Sequence, residues 1–152
     1  MVHRTSMSSD PLTMPPPQVG ALLREAWERL HEELVEGLAA AGFDDLRPVH
    51  HPLLRYVLAE GLRPGELAAR LGLSKQSVND LLRDFEHMGY LALAPDPQDG
   101  RSKRIRLTHR GWQLAITASE LSRAIGERWA SKVGTRRYAT FEAVLRELVA
   151  DA

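Results

Sequence analysis

Residues 95–111 read Pro-Asp-Pro-Gln-Asp-Gly-Arg-Ser-Lys-Arg-Ile-Arg-Leu-Thr-His-Arg-Gly, and the fold turns on this stretch. Pro95, Pro97 and Gly100 punctuate a tight turn between two short apolar strands, Tyr90–Ala94 and Lys103–Leu107. Thr108 then caps a new helix. Between residues 101 and 110 stand Arg101, Lys103, Arg104, Arg106 and Arg110, with no anion among them. A hairpin tip this basic suits a groove lined by phosphates, where cations gain affinity by displacing counterions. Because side chains alternate along a strand, only one of Lys103 and Arg104 faces such a groove.

Immediately upstream lies a pair of helices joined by a glycine turn. The first begins at Pro64, whose fixed φ suits the first helical position, and it turns Leu67, Ala68 and Leu71 inward before Gly72 reverses the chain. Ser74 caps the second. There Val78, Leu81, Leu82 and Phe85 recur at i, i+3, i+4 and i+7 and so share one buried face, and Gly89 ends the helix. The outer face presents Lys75, Gln76, Asn79 and Arg83, with Ser74 and Ser77 at its start. These groups suit base edges or phosphates in a major groove. An ordinary solvated helix face is the plain alternative, and the adjoining basic hairpin favours nucleic acid.

Outward from this centre the pattern is helical. From Val19 the residues Leu22, Leu23, Ala26, Trp27, Leu30, Leu34 and Leu38 recur at threes and fours, which predicts one long amphipathic helix ending near Gly42. A short helix over His51–Ala59 follows, with Leu54, Val57 and Leu58 inward. Beyond the hairpin, a helix from Thr108 to about Lys132 carries Trp112, Ile116, Ser119, Ser122, Ile125 and Trp129 along one stripe. A last helix from Thr135 buries Tyr138, Phe141, Val144, Leu145 and Leu148. These terminal helices carry more apolar face than so small a winged domain covers, which predicts a two-fold dimer.

The 152 residues, 43% of them hydrophobic, suit one compact domain. The chain has no Cys, which removes disulfides and thiolate metal sites from consideration. His50 and His51 are adjacent, but neighbouring side chains seldom converge on one ion, so neither metal nor cofactor is expected. No nucleophile elbow, phosphate loop or His-Glu-x-x-His cluster appears, so no enzyme is expected. Met1–Pro17 is rich in Ser, Met and Pro and reads as a flexible arm without an apolar signal core. No run is long enough for a membrane span, and a cytoplasmic location is expected.

The formal net charge of zero hides an asymmetry. Between Gly20 and Arg47 three cations face seven anions, whereas between Arg63 and Arg110 nine cations face six anions. The positive field is local to the helix pair and the basic hairpin.

Four segments together, Gly65-Glu-Leu-Ala-Ala-Arg-Leu-Gly-Leu-Ser-Lys-Gln-Ser-Val, Glu86-His-Met-Gly-Tyr, Asp96-Pro-Gln-Asp-Gly-Arg and Leu107-Thr-His-Arg-Gly, resemble the MarR family of bacterial winged-helix regulators over most of residues 19–150. The resemblance implies a mainly α fold with a small β-hairpin wing, a winged helix-turn-helix whose N- and C-terminal helices form a dimerisation region. It divides the chain into an arm (1–17), an N-terminal dimerisation helix (18–48), the DNA-binding domain (49–111) and C-terminal dimerisation helices (112–152). It further implies a homodimer on a pseudo-palindromic operator in double-stranded DNA, with Arg101 in the minor groove and Asp99 holding the Arg101 guanidinium. A regulator of this kind, most often a repressor, is commonly released by a small-molecule effector, for which Trp27, His50, His51, Tyr56 and Trp112 are the candidate lining. The resemblance leaves Arg63 unexplained, since Ser or Thr often stands there. The rival from another class is a winged-helix module whose recognition helix meets protein.

Overall fold

The computed structural model describes residues 18–50, 53, 54, 56 and 61–150. Helix α1 (Val19–Ala40) leads through a 3-10 turn at Pro48–His50 to Leu53, Leu54 and Tyr56, which are helical. The rest of the short helix expected over His51–Ala59, and the arm Met1–Pro17, lie outside the described residues. Then come α2 (Pro64–Leu71), α3 (Lys75–His87), strands β1 (Leu91–Asp96) and β2 (Asp99–Leu107), α4 (His109–Val133) and α5 (Thr135–Ala150). The fold is mostly helical with one antiparallel hairpin, and β1 pairs β2 from Leu91↔Leu107 outward.

The α2–α3 turn follows from local chemistry. Pro64 stands at the start of α2, and Glu66 accepts the Arg63 backbone N–H at 2.9 Å, one arm of a capping box. Gly72 closes α2 at φ 63°, ψ 26°, the left-handed conformation that glycine adopts without steric cost. Leu67 and Ala68 of α2 then meet Val78, Leu81, Leu82 and Phe85 of α3, and Tyr90, Leu91, Ile105 and Leu107 of the hairpin complete the same core. Leu38 of α1, Leu53, and Leu114 and Ala118 of α4 seal it. Where α4 leaves the hairpin, Gly111 lies so close to the Tyr90 carbonyl that a Cβ would sit 1.9 Å from its oxygen. Only glycine fits there.

The hairpin is longer than its apolar residues suggest. Its strands run to Asp96 and back from Asp99, leaving only Pro97 and Gln98 at the tip, and the register shifts beside Pro95 and Asp96. The Asp96 carboxylate makes this possible by accepting the Gln98 N–H at 3.0 Å, a local turn closed by a side chain. The base has a third member: Gly61 N–H donates to the Ile105 carbonyl at 3.0 Å and Ile105 N–H to the Leu62 carbonyl at 2.9 Å.

One expectation for the terminal helices needs correction, that α5 buries its apolar stripe. In α4 the face turned inward is Leu114, Ala115, Ala118 and Ile125, while Trp112 and Ile116 are exposed. No residue of α5 is buried: Phe141 is 40% and Leu148 68% exposed. The 3.6-residue period marks an apolar stripe without saying whether the chain itself covers it.

Candidate nucleic-acid interface

Helix α3 is amphipathic with its polar face outward. Ser74 caps it by accepting the Ser77 N–H at 3.0 Å, and the two hydroxyls lie 2.8 Å apart. These two serines therefore serve the helix end as well as the surface. Lys75, Gln76, Asn79 and Arg83 are all exposed on that surface. Between them stands Asp80, which accepts from Gln76 Nε2 at 3.1 Å and pairs with Arg83 at 2.9 Å. Sequence reasoning passed over Asp80 although its spacing from both partners, i+4 and i+3, is the helical neighbour spacing. An exposed pair of this kind contributes about 0–1 kcal/mol, so Gln76 and Arg83 are held in order yet easily handed to another anion.

On the hairpin, Arg101 and Lys103 are exposed beyond the core, and Arg106 is exposed nearer the base. Asp99 accepts the Arg101 backbone N–H at 3.1 Å and the Ser102 hydroxyl at 2.7 Å. Those two donors, the hydroxyl foremost, hold its carboxyl below the ordinary value. Asp99 thus orders the Arg101 main chain, where the resemblance led us to expect it on the guanidinium.

The structure separates Lys103 from Arg104. Arg104 is drawn inward: Nη1 donates to the Gly61 carbonyl at 3.0 Å and Nε lies 2.9 Å from Asp96 Oδ1, an ion pair without hydrogen-bond alignment. Asp96 is itself buried, at 2% exposure, and its Oδ2 receives Arg63 Nη2 at 2.6 Å and Nε at 2.8 Å. The Gln98 amide first, then Arg104 and Arg63, hold the Asp96 carboxyl down at about 2. Arg63 therefore stands at the start of α2 as the reach from that helix to the wing. Its displacement of the usual capping residue was the only signal in the sequence. A further tie joins the hairpin to α3, from Leu93 N–H to Glu86 Oε1 at 3.2 Å.

Of the five residues considered for an effector pocket, the four that are described stand in different surroundings. Trp27 is exposed on α1 and stacks on His31 with centroids 4.5 Å apart. Trp112 lines a shallow pocket of about 310 Å³ with Ala115, Ile116, Ser119 and Glu120. Tyr56 packs against the core, and His51 lies outside the described residues. His50 is fully buried beside Phe85, and its Nδ1 accepts the Arg47 N–H at 3.0 Å. A backbone N–H only donates, so Nδ1 carries a lone pair and Nε2 faces Asp84 Oδ2 at 3.4 Å. Arg47 also pairs with Asp84 at 2.6 Å, so this cluster fixes the inner edge of α3. Among the described residues, no group of His, Cys, Asp or Glu is placed to hold a metal ion, and no helix is long and apolar enough to cross a membrane.

A family profile described as the MarR family matches residues 44–102. The HTH-type transcriptional repressor Rv2887 of Mycobacterium tuberculosis is 32% identical over 91 residues, 60% of this chain and 66% of the repressor. The transcriptional activatory protein BadR of Rhodopseudomonas palustris is 36% identical over 65 residues, 41% of this chain and 37% of BadR. The matched segments thus span between about a third and two thirds of these relatives' lengths. Among solved structures, the transcriptional regulator Tm0710 of Thermotoga maritima superposes with a TM-score of 0.61 at 29% identity, covering 84% of this chain and 88% of that one. The Rv2887 structure in complex with salicylic acid gives 0.64 at 28% identity, covering 87% and 96%.

Proposed function

Since the chain belongs to the MarR family of winged-helix proteins, we propose that it is a transcriptional regulator that binds double-stranded DNA sequence-specifically as a homodimer, most readily as a repressor. The observation that carries this reading is the division of α3. Val78, Leu81, Leu82 and Phe85 are buried, while Lys75, Gln76, Asn79 and Arg83 are exposed, as are Arg101 and Lys103 of the wing. A helix so divided presents donors to base edges, and the wing presents cations to the flanking backbone. Two such helices, related by a two-fold axis, enter successive major grooves about 34–36 Å apart.

The dimer is inferred from the terminal helices. Between α1, α4 and α5 runs an open cavity of about 430 Å³ lined by Leu22, Ala26, Trp129, Val133, Tyr138 and Phe141, with Glu25, Arg29 and Lys132 among its polar lining. A second copy supplies the apolar cover this surface lacks. Release by a small-molecule effector belongs to the same reading. It is supported by the salicylic acid held by Rv2887 and by the open pocket at Trp112, and it requires different effector affinities of the bound and free forms.

Fluorescence anisotropy of the whole protein on the duplex upstream of its own coding sequence, run beside a random duplex over a salt series, tests the proposal. Binding that prefers the upstream duplex, weakens steeply with salt and is lost in the Arg83→Ala, Arg101→Ala double variant supports it. Equal affinity for both duplexes, or no binding, rejects it and turns attention to a protein partner for α3.

A further inference from the structure

The wing is a lever. Its two strands are fixed at the base by the Ile105 ladder to Gly61 and Leu62, and Arg101 lies four residues further out, roughly 13 Å at the rise of a β-strand. A swing of only about 5° at the base moves the tip by about 1 Å, more than the spread of good hydrogen-bond distances. A hairpin whose tip must meet a fixed partner therefore needs a brace beyond its base. Asp96 is that brace. It ends β1 directly before the tip turn, its carboxylate is buried, and both oxygens are engaged from different directions: Oδ2 by Arg63 of the helix-turn-helix, Oδ1 by Arg104 of the opposite strand and by the Gln98 amide.

Resting on the DNA-binding reading above, we propose that Arg63 is a positioning residue for the wing: by holding Asp96 it sets the angle at which Arg101 and Lys103 meet the DNA backbone, without touching DNA itself. Two of the guanidinium's nitrogens are already committed to Asp96, converging on its Oδ2 at 2.6 and 2.8 Å, which the single nitrogen of lysine does not reproduce. Asp96 itself makes a poor test, because its removal leaves Arg104 drawn inward without its counter-charge, a loss that unfolds many proteins. Arg63 makes a good one. Its side chain is 38% exposed, and without it the Asp96–Arg104 pair remains matched in charge.

The experiment is a double-mutant cycle in the whole protein, with wild type, Arg63→Ala, Arg101→Ala and the double variant compared for DNA affinity and thermal midpoint. Arg63→Ala weakens binding about tenfold when Arg101 is present and less than about twofold when it is absent, the coupling of residues that act through one another. Equal losses in both backgrounds, or no loss in either, overturn the proposal. Backbone amide exchange at Gln98 and Arg101 in the free protein separates this from failure of the DNA reading. If no duplex is bound by any variant, the DNA reading fails alone, and exchange accelerated about threefold or more by Arg63→Ala still establishes the brace. Unchanged exchange overturns it.

Discussion

From Pro64 to Leu107 each element contributes to one closed core, in which Leu67, Val78, Leu82, Phe85, Tyr90 and Ile105 are all at most 1% exposed. Helix α5, from Thr135 to Ala150, buries nothing, and the first half of α1 leaves Leu22, Leu23 and Trp27 open to water. Both regions are built from amphipathic helices with apolar residues at threes and fours, so the difference lies in what each stripe finds opposite it. In the winged half the stripes of α2 and α3 find each other and a hairpin. In the terminal half α1 and α4 pack together, with Leu121 against Gly37 and Arg128 paired with Glu33, but among the described residues Leu22, Trp27, Phe141 and Leu148 of the outer stripes stay exposed. A closed core holds a surface in a single shape for recognition, and an open stripe asks for a second copy.

The sharpest way to break this comparison is to damage one half at a time. Phe85→Ala empties the centre of the winged core and costs about 3–5 kcal/mol, with urea midpoints that fall by the same amount at every protein concentration. A loss below about 1 kcal/mol denies that this core holds the domain. Phe141→Asp with Leu148→Asp puts charge on the open stripe of α5 and costs little within one chain. Self-association weakens by about 2 kcal/mol or more, roughly thirtyfold in the dissociation constant, as measured by sedimentation. An unchanged dissociation constant moves the dimer contact elsewhere.

Smaller effects sharpen the picture within the winged half. Ser74→Ala removes the N-cap of α3 and costs about 1 kcal/mol in thermal or urea unfolding, with no change in oligomeric state. Acid tests the same half through the Asp96 carboxylate. Asp96 has a folded value of about 2 against an ordinary 3.8, so its contribution is complete above about pH 4 and is lost as pH falls through 2. The Arg63→Ala variant, with a weaker hold on that carboxylate, has a smaller contribution from it and loses that contribution at a higher pH. Coincident acid transitions of the two proteins contradict the brace.

Much of this was legible in the residues. Pro64, Gly72, Ser74 and Gly89 bounded the two helices of the turn, because backbone conformation is set locally, and Val78, Leu81, Leu82 and Phe85 face the core as their spacing predicts. What escaped reading was set by contacts distant in sequence. Nothing near Arg63 announces Asp96, 33 residues on, and nothing near Asp45 announces that it accepts from both the Tyr90 hydroxyl and Arg110. The alternation of Lys103 and Arg104 showed that only one could face outward, and the choice fell to a carboxylate on the neighbouring strand. His50, grouped with the exposed aromatic residues as a pocket candidate, is buried because Phe85 and the Arg47 amide enclose it.

Hydroxyl-radical footprinting of the whole protein on its upstream duplex tests the central claim that paired winged halves read DNA. Two protected windows about 34–36 Å apart, one helical turn, are expected, with flanking minor-groove protection that disappears in Arg101→Ala while the windows remain. A single window, or even protection along the duplex, contradicts it.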